Sequence, residues 1–186
     1  MNLTRLKQHE KWERIKAGTT CPYCFKASKL IPAVYVYGYK NKLNGKYVRR
    51  CKKCDALVGC HGYSKKAMGI LAKPNVRILR KKAHEEFDYI WQYKIKRENC
   101  SKKHARQLAY EWLANQLDVE LEDCHISQFF EFELKETIRI CSKYVKKIKK
   151  FLRNNNGEIP IRTPKIKCVS SYIPMTIQFI QKSING

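Results

Sequence analysis

The sequence predicts an α+β protein: a small N-terminal zinc ribbon built of β-hairpins, then a three-helix region, then an extended C-terminal tail. Three observations predict it. Two Cys-x-x-Cys pairs, Cys21-Pro22-Tyr23-Cys24 and Cys51-Lys52-Lys53-Cys54, stand 26 residues apart across a β-prone stretch. From Pro74 onward the apolar spacing becomes helical. Beyond Asn154-Asn155-Asn156-Gly157 that spacing is lost and prolines recur at 160, 164 and 174. The implied divisions are a basic helical lead-in (1–20), the ribbon (21–62), a helical domain (63–153) and the tail (154–186).

Trp12 and Ile15 give the lead-in one side to bury. In the ribbon, each Cys-x-x-Cys turn presents two thiolates. Four thiolates make the closed tetrahedral set of a structural zinc site, so Cys21, Cys24, Cys51 and Cys54 are expected to hold one Zn²⁺. A thioredoxin-like redox motif would instead use a single pair in a βαβ context. Between the pairs, Leu30–Tyr37 and Tyr47–Arg50 read as strands, with Asn44-Gly45 marking the hairpin turn. A third run, Ala56–Cys60, completes a three-stranded ribbon. Cys60 is expected to end that strand and His61 to sit in the turn after it; a second metal would need more ligands than this dipeptide offers.

Helical periodicity then places Val76, Leu79, Ala83, Phe87, Ile90 and Trp91 on one face of a helix opened by Pro74. Arg77, Arg80, Lys81 and Lys82 crowd its early turns, where a bound anion would relieve the unfavourable dipole. His84 and Asp88, at i and i+4, are expected to meet on the helix surface. A break at Arg97–Cys100 precedes a second helix, N-capped by Ser101 and buried through Ala105, Leu108, Ala109, Trp112, Leu113, Gln116 and Leu117. A third helix, about Ser127 to Arg153, carries the seam Leu134, Ile138, Cys141, Val145, Ile148, Leu152. Its other faces carry Lys143, Lys146, Lys147 and Lys150. In the tail, the apolar run Ile173–Ile180 needs a surface to cover.

Charge bears on partners rather than fold. Lys and Arg number 39 against 16 Asp and Glu, a formal charge of +23, so a polyanion is the expected partner. Seven basic residues and no acid lie between Gly38 and Lys53: Lys40, Lys42, Lys46, Arg49, Arg50, Lys52 and Lys53. Tyr35, Tyr37, Tyr39 and Tyr47 are interleaved with them. Such a run suits nucleic acid, cations meeting phosphates and rings stacking on bases; the competing reading is that the tyrosines pack the hairpin and the lysines keep it soluble. The expected contact set adds Arg77, Arg80, Lys81 and the third-helix lysines. Eight of the sixteen acids fall in residues 111–136, a segment that should face away from a polyanion or cover a basic surface. No run approaches the length of a membrane-spanning helix, the start lacks a signal-peptide core, and the five cysteines outside the two pairs, Cys60, Cys100, Cys124, Cys141 and Cys168, show no regular disulfide spacing. A reducing cytoplasm is therefore expected, with no membrane partner.

The ordered series Cys21-Pro22-Tyr23-Cys24, Cys54-Asp55-Ala56-Leu57-Val58-Gly59-Cys60-His61, Met68-Gly69-Ile70-Leu71-Ala72, Arg77-x-x-Arg80-Lys81-Lys82-Ala83-His84-x-x-Phe87-Asp88-x-x-Trp91, Arg106-x-x-Ala109-Tyr110-x-Trp112-Leu113-Ala114 and His125-Ile126-Ser127-x-Phe129 resembles a family known mainly from phages and prophages, a zinc-finger-containing domain of unknown function. The likeness covers about Cys21 to Cys141. Phe25 and Ser127 stand where members of that family tend to have Gly. The resemblance implies a zinc-bearing phage protein in a bacterial cytosol and no particular activity.

The leading expectation is a non-catalytic zinc-ribbon protein that binds DNA or RNA. The alternative is an adaptor docking on a host or phage complex such as a polymerase, a ribosome or a virion assembly; the apolar tail and the acidic segment favour it. An enzyme is disfavoured, because four Cys ligands close the metal and nothing else completes a catalytic constellation, although His61, His84, Asp88 and His125 are candidates to gather.

Overall fold

A computed structural model describes residues 3–160 apart from residues 40, 41, 43 and 63. The element order is α1 (Leu3–Lys16), β1 (Lys29–Pro32), α2 (Val34–Tyr37), β2 (Tyr47–Cys51), β3 (Ala56–Gly59), α3 (Pro74–Glu98), α4 (Lys102–Leu117), a 3₁₀ turn (Ile126–Gln128) and α5 (Glu131–Asn154). The α+β expectation holds: a small three-stranded antiparallel sheet lies near the N-terminus, and helices follow. The tail from residue 161, with its apolar run and Cys168, lies outside the described residues, as does Lys40.

The chain divides into two compact units. One comprises the described residues up to Lys81 together with His125–Leu134; the other comprises Lys82–Cys124 and the described residues from Lys135 on. In the first unit the strand order is β1-β2-β3, with Leu30 opposite Arg49, Arg49 opposite Val58 and Cys51 opposite Ala56. Strands of four and five residues bury little by themselves. The loop after β3 adds to them by folding back on the sheet. Cys60 bridges Ala67, Leu57 bridges Ala72, and the Leu57 and Ala72 backbones exchange hydrogen bonds of 3.0 and 3.1 Å. That pairing keeps residues up to Lys81 with the ribbon. Gly69 has a backbone reason to be glycine: a Cβ there would collide with the backbone and side chain of Ser127. The neighbouring Ile70 N–H donates to Ser127 O at 3.2 Å.

Two local expectations are corrected. The strand predicted over Leu30–Tyr37 stops at Pro32, and Val34–Tyr37 forms a single helical turn. Pro32 has no N–H to continue a ladder. The buried Ala33 adopts helical angles, and Gly38 closes the turn at φ 77° with its N–H on Val34 O. Hence β1 and β2 are joined through residues 33–46, and Asn44-Gly45 is a turn inside that connection rather than a two-residue hairpin loop. The third long helix begins at Glu131, not near Ser127. His125 caps the 3₁₀ turn by accepting from Ser127 N–H, and Phe129 leaves it in extended geometry (ψ 143°).

In the second unit the helices meet through aromatic contacts. The Phe87 and Tyr110 rings lie 4.5 Å apart, and Trp112 packs edge-on against Tyr144 at 4.6 Å. Ser101 caps α4 as expected, its Oγ accepting from His104 N–H at 3.2 Å. Ala105, Ala109, Trp112 and Leu113 are buried, whereas Gln116 is exposed. On α5 the buried line runs Ile140, Cys141, Val145, Ile148; Ile138 is only half-buried. The wider stripe of a 3.6-residue period, rather than a strict heptad seam, describes it. Asn155, Asn156 (φ 52°) and Gly157 (φ 81°) end α5, with Gly157 N–H on Leu152 O at 2.7 Å.

Candidate metal centre and ribbon surface

Each Cys-x-x-Cys pair straddles a tight turn, and the sheet brings the two turns together. The first turn is closed by Phe25 N–H to Cys21 O and by Cys21 N–H to Lys26 O, both 2.9 Å. The second joins β2 to β3, with Cys51 as the last residue of β2. One sulfur from each of Cys21, Cys24, Cys51 and Cys54 lies within 4.8 Å of the other three, and Cys24 Sγ is 3.5 Å from Cys51 Sγ. Zn–S bonds of ~2.3 Å in a tetrahedron place sulfurs ~3.8 Å apart, a spacing that the 3.5 Å pair and the 4.8 Å limit bracket, so the cluster fits one zinc with small adjustments. Among the described residues no other group of three or more His, Cys, Asp and Glu is placed to share a metal. Asp88 instead accepts from Trp91 Nε1 at 2.8 Å, and the His125 ring bonds Ser127 Oγ at 2.8 Å. His61 is exposed in the turn after Cys60.

Cys21 and Cys51 are buried beside Ala56, Val58 and Leu71, with Tyr23 and Ala67 packed against the cluster. The shell covers Cys21 and Cys51 while Cys24 and Cys54 stay half-buried, and the thiols shift in different directions. Burial pushes Cys21 up to about 12, outweighing the Tyr23 and Cys24 N–H groups that point at its sulfur. Cys24 is lowered to about 7, chiefly because Lys26 N–H donates to its sulfur. Burial raises Cys54. Metal binding resolves the conflict, since a cation replaces the protons that keep a buried thiol neutral.

Phe25 and Asp55 follow the second Cys of each pair, and both adopt left-handed backbone, at φ 57° and 49°. Glycine takes this conformation without strain; a bulky side chain costs ~1–2 kcal/mol. Each residue has a compensating partner. Lys11 Nζ sits 3.4 Å above the Phe25 ring, and Asp55 pairs with Arg50 at 2.8 Å. The missing glycine at 25 is a signal legible in the sequence; its cationic partner from α1 is not.

The expected nucleic-acid residues fall into two groups. Several cations are spent inside the first unit. Arg49 reaches Ser28 Oγ at 3.5 Å, and Arg50 takes Asp55. Arg77 donates to the carbonyls of Asp55 and Ala72, and Arg80 to those of Ile70 and Phe129. These carbonyls supply the negative partner that the early turns of α3 need. Burial lowers Arg80 to about 10, still charged at neutral pH. In contrast, Lys42, Lys46, Lys52, Lys53 and Lys81 are exposed, and so are Lys143, Lys146, Lys147 and Lys150 in the second unit. Tyr35, Tyr37 and Tyr39 are exposed rather than packed. Lys65 covers the Tyr47 ring at 4.5 Å. No helix of the described residues is long and apolar enough to cross a membrane.

The model of a zinc-finger-containing domain matches residues 17–144. Comparison with curated proteins and with solved structures gives no match.

Proposed function

The chain belongs to the zinc-finger-containing domain family, and from that premise we propose that it is a non-catalytic nucleic-acid-binding protein whose ribbon meets phosphates. One observation carries this reading. Over residues 14–84 there are eighteen Lys and Arg and one acid, Asp55. Arg50 takes up that acid. Glu10, Glu13, Glu131 and Glu133 are the other acids of the first unit, so its field is still strongly positive, far beyond what solubility asks. Zinc, when bound, cross-links the two knuckles as a structural ion. Four thiolates leave it no open position for chemistry, which supports a binding role. The resemblance to phage proteins supports a phage-encoded protein at work in a bacterial cytosol.

The test is a salt titration of binding to labelled DNA and RNA by the zinc-loaded chain. Lys46→Glu, Lys52→Glu and Lys53→Glu alter exposed side chains; Lys52 and Lys53 stand in the turn of the second knuckle, so zinc content of the triple variant is measured alongside binding and should be unchanged. The triple variant should weaken binding to all sequences alike and flatten the salt slope by roughly one unit per lost phosphate contact. Unchanged affinity and slope would reject the reading.

The adaptor reading has one observation of its own. Asp118-Val119-Glu120-Leu121-Glu122-Asp123 is exposed throughout and alternates acid with apolar side chains. That pattern suits a basic protein surface and repels phosphate. Binding that survives high salt would favour it.

A further inference from the structure

We infer that the nucleic acid held by the ribbon is single-stranded, gripped by base stacking on Tyr35, Tyr37 and Tyr39. The inference rests on the reading that the ribbon binds nucleic acid and says which form it takes. Tyr35 is 70% exposed, Tyr37 41% and Tyr39 76%. Three tyrosines in five residues thus keep their rings in water, although an exposed aromatic ring is costly. The helical turn that opens after Ala33 carries Tyr35 and Tyr37, and Tyr39 follows its Gly38 cap.

The turn that carries Tyr35 and Tyr37 is tied to the sheet through its backbone. Ala33 is fully buried, and its N–H donates to Lys46 O at 2.8 Å, tying the turn to the entry of β2. Val36 and Tyr37 N–H both donate to Ala33 O at 3.0 Å, and Gly38 N–H to Val34 O at 2.9 Å. A ring held on a fixed backbone loses less freedom on binding than one on a loose loop. The exposed Lys42 and Lys46 follow on the same connection, and no acid occurs from residue 14 to residue 54 to oppose a phosphate chain.

Stacking on a ring face needs a base face that is open, which a duplex does not offer and a single strand does. Reading a duplex from this arm would require an element long enough to enter the major groove. The arm carries one four-residue helix and strands of four and five residues. Cations and open rings without such an element match the way single strands are held, with little dependence on sequence.

The experiment measures fluorescence anisotropy of labelled oligo(dT), oligo(U) and mixed-sequence duplex DNA, each about 20 units long, with the full zinc-loaded chain. The expected result is tighter binding of at least one single strand than of the duplex. Tyr35→Ala with Tyr39→Ala should weaken single-strand binding by ~tenfold or more, with the salt slope unchanged, and weaken duplex binding by less than ~twofold. Tyr35→Phe with Tyr39→Phe should restore binding, because the ring and not the hydroxyl stacks. Both rings are exposed, so zinc content and denaturant midpoint should stay as in the unaltered chain. Equal or tighter binding of the duplex would overturn the inference, and so would single-strand binding indifferent to the Ala changes. If those changes have no effect while the Lys46, Lys52 and Lys53 reversals abolish binding, the ribbon binds nucleic acid by charge alone and only the stacking inference falls. If no polynucleotide binds the unaltered chain, the proposed function falls with it.

Discussion

The two units are held together by different physics. The first has three strands of four or five residues, and its buried centre includes a cluster of thiols. The second has long helices whose buried faces carry Phe87, Trp112, Leu113, Cys141, Val145 and Ile148. A fully buried Leu or Phe contributes ~1.5–3 kcal/mol, so the helical unit has an ordinary apolar source of stability. The sheet itself buries only Val48, Leu57 and Val58 as large apolar side chains, other segments of the same unit supply Ile70, Leu71, Ile126 and Leu134, and zinc adds the cross-link that the knuckles lack. Within the ribbon the two knuckles differ again. They share one backbone geometry, but a cation over a ring steadies the first and an ion pair steadies the second.

Removing zinc should break the contrast open, and it is the largest effect expected. Structural zinc contributes on the order of 10–16 kcal/mol of folding energy in small metal-dependent domains. A strong chelator, or Cys21→Ser with Cys54→Ser, should abolish amide protection over Tyr47–Gly59 while Ala105–Leu113 stays protected in hydrogen exchange. Equal loss in both stretches would show a single cooperative structure instead.

Leu113→Ala is the converse experiment. Leu113 is fully buried, so the change should cost ~2–5 kcal/mol by denaturant unfolding and leave zinc content unchanged.

Acid should act on the ribbon alone. In the folded knuckles burial raises Cys21 to about 12 and also raises Cys54, so both carry protons at neutral pH, and Cys24, at about 7, is half-protonated there; the thiols of an unfolded ribbon, at ~8.5, carry protons there as well. Zinc displaces those protons, so its affinity falls as pH falls. From Cys21, Cys54 and half of Cys24, the loss should be at least ~100-fold between pH 7 and pH 6. Competition with a metal indicator at several pH values would measure it. A pH-independent affinity would contradict the four-thiol site.

The knuckles themselves separate at ~1 kcal/mol. Phe25→Ala keeps the left-handed strain and removes the ring under Lys11, so it should destabilise the ribbon by ~0.5–1 kcal/mol. Phe25→Gly relieves the strain as it loses the same contact and should be nearly neutral. Asp55→Asn keeps a residue tolerant of that backbone and loses a partly exposed ion pair, for a cost of ~0.2–1 kcal/mol. Zinc-loaded thermal or denaturant midpoints for the three variants would rank them.

The smallest effects belong on α5. Ile138 is half-buried, so Ile138→Ala should cost ~1 kcal/mol, below the range for a fully buried site. Lys146→Ala and Lys150→Ala should stay under ~0.5 kcal/mol. Loss of nucleic-acid affinity in these Lys variants would extend the binding surface to the second unit.

Much was decided by local sequence. Ligand spacing, the cap at Ser101, the start of α3 at Pro74 and the stop at Gly157 each depend on a few adjacent residues, and each is found where it was expected. The left-handed slots at 25 and 55 also belong to local geometry. Tertiary structure alone decided the rest. Tyr35 and Tyr37 looked like strand residues because alternation is what β propensity rewards, but Ala33 is buried and bonded to Lys46, so the chain turns there. Arg77 and Arg80 looked like phosphate ligands because sequence records their charge and not the carbonyls of Ala72, Ile70 and Phe129 that they reach. The start of α5 moved because Ser127 O is needed by Ile70, far off in the chain. A residue's own preferences are written in its neighbours along the chain; what its polar groups pair with depends on which distant segments the fold brings within hydrogen-bond reach.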